Sequence, residues 1–296
     1  MATGLAKENV MSDLIPFRPL SPFGAELSVD LGIALNKAQV GELIRLFRTH
    51  KVLLVRNQDL DEAAQKQVMS YLGPVPADAC GLTSNDPNVG MQGDIKLAFH
   101  SDLAFASEPD LGASLFALDL TDDVSSTSFA NGALVYKTLP QALKDRIDTL
   151  EAVSIWPLDQ TRRNRAASLN RDDPRAGHPM VWNHPATGEP MVYLSEMHTD
   201  CIHGLPEAES EALITEIFGY LFAPENILTH TWRNGDLVIW DNLATQHARR
   251  DISQVGIRTL RRVSIARRSF FEQFPQFVPT DLKGYSDQRH AKIAGR

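Results

Sequence analysis

Between residues 36 and 74 the hydrophobic pattern of the chain changes period twice. Val40, Leu43, Ile44 and Phe47 fall at i, i+3, i+4 and i+7, which puts them on one face of a helix. Asn36, with Gln39 three positions on, has the form of an N-cap and its reciprocal partner, so a helix is expected to run to about His50. Val52-Leu53-Leu54-Val55 then forms an unbroken apolar run, the pattern of a strand covered on both faces. A second helix is expected from Asp59 or Asp61 to the Gly73-Pro74 stop.

Elsewhere the punctuation favours short strands. Residues 14 to 32 mix short apolar runs with Pro16, Pro19, Pro22, Gly24 and Gly32, which predicts one or two strands separated by turns. Strands are expected at Gly112 to Leu120, Leu150 to Ile155, Met191 to Leu194 and Arg258 to Ile265, with helices opened by Pro140 and Pro206. Asn234-Gly235 separates two apolar-rich runs and predicts a hairpin. From Pro74 to Lys96 no periodicity is visible, and residues 159 to 177 read as a polar, exposed insertion. Long loops in compact domains are uncommon unless they serve a site, so 75–97 and 159–178 are candidate lids. Residues 268–296 read as a polar, aromatic-spotted tail. Many short strands with few helices predict a mainly β chain, a sandwich or jelly roll flanked by helices, organised as one domain over residues 1–296.

Composition narrows the function classes. The 296 residues are 43% hydrophobic and 22% charged, as in a globular protein with a full core. A net charge of -8 argues against a broad basic surface for nucleic acid, and Arg162-Arg163-Asn164-Arg165 reads as a solvated loop. Cys80 and Cys201 are the two cysteines and lie far apart, which argues against a disulfide framework and for a reducing, cytoplasmic setting. Met1 to Asp13 lacks the apolar core of a signal peptide, and no run approaches the roughly 20 apolar residues of a membrane helix. The partner expected is a small-molecule substrate, not nucleic acid or membrane, and a homo-oligomer is compatible with a chain of this size.

The candidate chemistry begins at Phe99-His100-Ser101-Asp102. If residues 98 to 103 are extended, His100 and Asp102 project from one face, giving an imidazole and a carboxylate for a metal. His-x-Asp alone is a weak signal, and His198-Thr199-Asp200 matches it as well. The apolar setting of the first triplet, with Phe99, Leu103, Ala104 and Phe105, favours it. Two imidazoles and one carboxylate on an octahedral face leave positions open for a cosubstrate and dioxygen, which suits Fe(II); the C-terminal third supplies His247. Arg258 and Arg262 lie four apart in an expected strand, on one face, and an inward guanidinium calls for an anion such as a dicarboxylate, or else internal Asp or Glu.

Phe99-His100-Ser101-Asp102 with Phe105, Trp240-Asp241-Asn242 with Thr245-Gln246-His247, and Arg258-Thr259-Leu260-Arg261-Arg262 together resemble the TauD/TfdA family of Fe(II)/2-oxoglutarate-dependent dioxygenases. The resemblance spans nearly the whole chain. It implies a double-stranded β-helix, a jelly-roll core with helices outside. It implies iron ligation by His100, Asp102 and His247, with 2-oxoglutarate and O2 as cosubstrates. It places Arg258 and Thr127 on the far carboxylate of 2-oxoglutarate, and Arg262 near the keto-acid end and substrate. The family often has Gly-Gly-Asp before that threonine, where this chain has Val124-Ser125-Ser126. A carboxylate at Asp102, where halogenating relatives carry a small residue, implies hydroxylation or another oxidation of a C–H bond rather than halogenation, with release of succinate and carbon dioxide.

Substrate recognition is expected from Arg262, His198, Tyr193 and Lys96, and the substrate is expected to be small and polar or anionic. Trp240 reads as core, and Asp241 with Asn242 as the turn that aims His247. Two other readings use the same residues: a zinc or manganese cupin-like hydrolase or isomerase, and a jelly-roll binding module with a vestigial metal site.

Overall fold

The computed structural model describes residues 14–86, 89, 91–121 and 125–277. Two sheets form its centre. The larger has eight strands in the order Phe17–Pro19, Ala25–Leu27, Val52–Val55, Leu237–Asp241, Gly112–Leu120, Arg258–Ile265, Cys80–Ser84 and Met91–Gln92. The smaller has four, in the order Ile227–Thr231, Ser126–Asn131, Thr245–Arg249 and Leu97–His100. This is the mainly β jelly-roll class that the strand pattern predicts, with helices packed outside.

Alternation along single strands explains the layers. Val52 and Leu54 point between the sheets, where they join Leu115, Val238, Trp240 and Leu260 of the larger sheet and Phe129 and Leu228 of the smaller. Leu53 and Val55 point the other way, onto Leu43, Leu46 and Phe47 of the helix Lys37–His50 and Val68 and Met69 of the helix Glu62–Ser70. Each fully buried Leu or Val contributes about 1.5–3 kcal/mol through area removed from water. Both helices begin as expected: Asn36 and Gln39 form the capping box, and Asp61 caps the second through Ala64 N. On the far side the helix Glu207–Leu221 buries Leu213, Ile214, Ile217 and Leu221. Among the described residues no helix is long and apolar enough to cross a membrane, and Cys80 and Cys201 are free thiols.

Four local expectations are corrected. Asn234-Gly235 does not close a hairpin: Ile227–Thr231 pairs with Ser126–Asn131 in the smaller sheet, while Leu237–Asp241 enters the larger one. The turn is instead held by the chain around it. Asn234 Oδ1 accepts from Leu120 N and its Nδ2 donates to Leu120 O, and Gly235, at φ 79, leaves no room for a β-carbon against Gln58 O. The expected loop from Pro74 contains the strand Cys80–Ser84, paired with Arg258–Ile265; a short, half-exposed strand carrying Gly81 shows no alternation to read. The polar insertion is anchored rather than free. Asn164 is buried and donates to Met197 O, Arg163 bonds Thr199 O, and Arg175–Pro179 pairs with Glu151–Ile155. Finally, the strand carrying His100 ends there instead of continuing to residue 103.

Of the expected tail, residues 269–277 form the capped helix Phe270–Gln273 and the turn Pro275–Phe277. Residues 1–13, 278–296 and, within the first candidate lid, 87, 88 and 90 lie outside the described residues.

Candidate active site

His100 and His247 are register partners on adjacent strands of the smaller sheet. Opposed side chains in an antiparallel pair share a face, and their ring centroids stand 4.1 Å apart. Asp102 reaches them by a turn rather than along a strand, with Leu103 at φ 57, a conformation that costs a residue with a β-carbon roughly 1–2 kcal/mol. The turn sets Asp102 Oδ1 3.7 Å from His100 Nε2 and 3.8 Å from His247 Nε2. Among the described residues this is the one group of His, Cys, Asp and Glu side chains that could hold a metal, with ligand atoms within 4.8 Å of one another.

The donor set is in the state a metal requires. His100 Nδ1 lies 2.8 Å from Ala98 O, so an N–H there leaves the Nε2 lone pair facing the cluster. Burial pushes the His100 pKa down, and burial with the nearby His100 ring pushes His247 down to about 3; both imidazoles are neutral near pH 7. Burial opposes ionisation of Asp102, but the Arg262 guanidinium and the two imidazoles outweigh it and hold the carboxyl well below the usual range. Two neutral imidazoles and a carboxylate, with the remaining directions unfilled by protein ligands, fit a ferrous ion.

Residues from the distal motif hold Asp102 in place. Asn242 Oδ1 accepts from Asp102 N, and its Nδ2 donates to Asp102 O and Asp110 O. Gln246 Nε2 donates to Ser101 Oγ, which donates to Thr245 O. Asn242 therefore clamps the first ligand pair as well as shaping the turn before His247.

The two arginines differ in their partners. Arg262 Nη2 lies 2.9 Å from Asp102 Oδ2 and 2.7 Å from Asp110 Oδ2, so internal carboxylates answer its charge. Burial pushes the Asp110 pKa up to about 6 in spite of this guanidinium. Arg258 is 2% exposed and has no carboxylate partner among the described residues; its Nε donates to Ser125 Oγ at 3.3 Å. Burial, and then the charge of Arg249, push its pKa down, yet a guanidinium stays protonated at neutral pH. A buried, unpaired charge costs several kcal/mol, which makes this position a standing attractor for an anion.

Arg258 lines a narrow recess of about 40 Å³ with Asp102, Thr127, His247, Arg249 and Arg262. Thr127 Oγ1 accepts from Trp232 Nε1 at 2.9 Å, leaving the hydroxyl proton available to an anion. A wider cavity of about 230 Å³ adjoins at Thr83, Leu97, Asp102 and Arg262 and extends to His198, Phe105, Trp156 and Phe270.

His198 sits in that cavity, its ring centroid 6.1 Å from His100 and its Nδ1 3.0 Å from Ile155 O. Its triplet partner Asp200 turns away to Arg165 Nε at 3.1 Å, which separates His198-Thr199-Asp200 from the metal cluster. Lys96 is exposed, and Tyr193 is buried against Trp182 at 5.0 Å between ring centroids. Neither lines the recess or the cavity. Sequence reasoning missed Asp110 and Arg249 and gave Gln246, quoted within the distal motif, no role of its own; Arg249, two residues beyond His247 on the same strand face, carried a signal that could have found it.

Residues 16–264 match the family model described as taurine catabolism dioxygenase TauD, TfdA family. An alpha-ketoglutarate-dependent sulfate ester dioxygenase of Pseudomonas putida is 30% identical over 263 residues, covering 82% of this chain and 84% of that protein. An alpha-ketoglutarate-dependent 2,4-dichlorophenoxyacetate dioxygenase of Cupriavidus pinatubonensis is 25% identical over 281 residues, covering 84% and 96%. The crystal structure of a taurine dioxygenase from Burkholderia xenovorans superposes with a TM-score of 0.73 at 26% identity, over 85% of this chain and 90% of that one.

Proposed function

The chain belongs to the TauD/TfdA family of Fe(II)/2-oxoglutarate-dependent dioxygenases, and we propose that it hydroxylates a C–H bond of a small substrate carrying a polar or anionic group. With family membership, the readings of a cupin-like hydrolase and of a vestigial binding module fall away. The reaction balances as one 2-oxoglutarate, one O2 and one R–H giving succinate, carbon dioxide and R–OH.

In this reading His100, Asp102 and His247 hold the iron, which supplies oxygen activation when bound. Arg258 and Thr127 take the far carboxylate of 2-oxoglutarate in the recess, so that its keto-acid end points at the triad. Arg262 steadies Asp102 and borders both the recess and the cavity, and His198 faces the substrate beside His100. The residues contribute placement and a sheltered, low-dielectric site. Sulfate esters and dichlorophenoxyacetate, the substrates in the names of the two relatives, are both anions, which supports an anionic group here.

One observation carries the reading: a fully buried guanidinium, without a carboxylate partner among the described residues, shares its recess with two of the three triad residues. Quantifying succinate from purified protein with Fe(II), 2-oxoglutarate and O2 tests it. Succinate is expected from the native chain and not from Asp102→Ala; equal succinate from both would overturn the assignment.

A further inference from the structure

The wider cavity has an unusual wall. Starting at the triad, rings follow one another without a break: His100 to His198 at 6.1 Å between centroids, His198 to Phe105 at 5.4 Å, Phe105 to Trp156 at 4.9 Å and Trp156 to Phe270 at 5.9 Å. All of them, with Phe271, line the cavity. Among the described residues its one guanidinium, on Arg262, is already met by Asp102 and Asp110. The cavity therefore offers much aromatic surface and little unbalanced positive charge to a ligand's body.

Part of this wall comes from a segment outside the family-matched residues 16–264. The segment is held in place. Ser269 and Glu272 form a capping box. Gln273 exchanges two hydrogen bonds with the backbone of Glu108. Phe277 stacks on Trp156 at 5.3 Å and 17°, and Phe274 lies 5.8 Å from Phe105. Rings at these separations and tilts attract one another beyond their area burial, and they would do the same for a ring inserted among them.

We propose that Phe105, Trp156, Phe270 and Phe271 hold a ring-bearing, largely apolar substrate body, and that the Phe270–Phe277 segment sets this specificity. The inference rests on the oxygenase reading above and refines it. The substrate is an amphipathic molecule, with an anionic or polar group at one end and an aryl or alicyclic ring among these side chains. A compact zwitterion or a linear alkyl anion would leave the aromatic wall unused. Phe270 and Phe271 act on binding, not on the reacting atoms, so their loss belongs in KM rather than kcat.

The test compares acids of equal charge on the full-length protein loaded with Mn(II) and 2-oxoglutarate. Binding of 3-phenylpropionate and phenoxyacetate is measured by calorimetry against hexanoate. The ring-bearing acids are expected to bind about tenfold or more tightly, and the paired substitution Phe270→Leu with Phe271→Leu, which keeps apolar bulk, is expected to erase the preference. Phe270→Ala with Phe271→Ala is expected to do the same. Equal or weaker binding of the ring-bearing acids would overturn the proposal, as would a preference that survives in both variants. Affinity for 2-oxoglutarate is measured in the same samples. If it is absent from the native chain, the oxygenase reading has failed; if it is intact and unchanged in the variants, only the ring inference is at stake.

Discussion

Replacing Arg258 by methionine should strengthen the fold and disable the cosubstrate site together. Among the described residues only the Ser125 hydroxyl answers this buried guanidinium, and methionine keeps an apolar stem while removing the charge. Exchanging buried charge for apolar volume commonly stabilises by about 1–4 kcal/mol, and in a chain of this size each kcal/mol moves Tm by roughly 2 °C. On the proposed assignment the same change deletes the charge-assisted hydrogen bonds that Arg258 would offer the far carboxylate of 2-oxoglutarate. Two such bonds at about 1.5–3 kcal/mol each amount to a loss of affinity between about 10² and 10⁴-fold. The assay is thermal unfolding of the Mn(II)-loaded protein with and without 2-oxoglutarate, with calorimetry for affinity. Native protein should gain several degrees from the ligand; the variant should start a few degrees higher and gain almost nothing. A variant that is less stable and still binds 2-oxoglutarate with native affinity would refute the reasoning, because it would mean that Arg258 is satisfied within the protein.

Asn242→Ala removes three hydrogen bonds to Asp102 and Asp110 backbone atoms; metal affinity is expected to fall about 10–100-fold, as read by Mn(II) titration, and an unchanged affinity would exclude the clamp. Thr127→Val should weaken 2-oxoglutarate several-fold through one lost hydroxyl contact while leaving Mn(II) affinity intact. The metal-free protein should lose stability in acid. The unfolded chain takes up protons on these histidines near pH 6.5, while burial holds His100 lower and His247 at about 3. Their contribution is therefore complete above about pH 6.5 and declines as pH falls towards 3, by up to about 1.4 kcal/mol per pH unit for each imidazole. Urea midpoints between pH 7.5 and 5.5 should show a shallower decline in His247→Gln; identical slopes would contradict the depressed pKa.

How far the molecule could be read from its sequence depends on where each property resides. Chemistry carried by side-chain type survives in one dimension: a His-x-Asp pair and a distal histidine suggest a metal, and an arginine beyond them suggests an anion, wherever the backbone runs. Even so, Asp102 reaches the cluster from a turn beyond the strand that ends at His100, not from the extended backbone that alternation within the triplet suggests. Pairing between distant strands is not written locally. Asn234-Gly235 has the composition of a hairpin turn, yet contacts with Leu120, Ala117 and Gln58 send its two arms into different sheets. Counter-charges are equally hidden. Spacing alone could not tell that Arg262 finds Asp110 while Arg258 finds no carboxylate among the described residues, although that difference separates an internal ion pair from a candidate ligand site. Lys96 and Tyr193 suggested recognition by residue type alone, and burial and exposure put them outside the cavity.

The central claim, that His100, Asp102 and His247 hold iron in front of a 2-oxoglutarate site anchored by Arg258, is tested most directly by anaerobic titration of the purified protein with Fe(II) and 2-oxoglutarate. A keto acid chelated to ferrous iron gives a weak visible charge-transfer band. The account predicts that band in the native protein and in His198→Ala, its loss in Asp102→Ala, and a much higher 2-oxoglutarate requirement in Arg258→Met. Absence of the band from intact protein, or its persistence in Asp102→Ala with loss in His198→Ala, would contradict it.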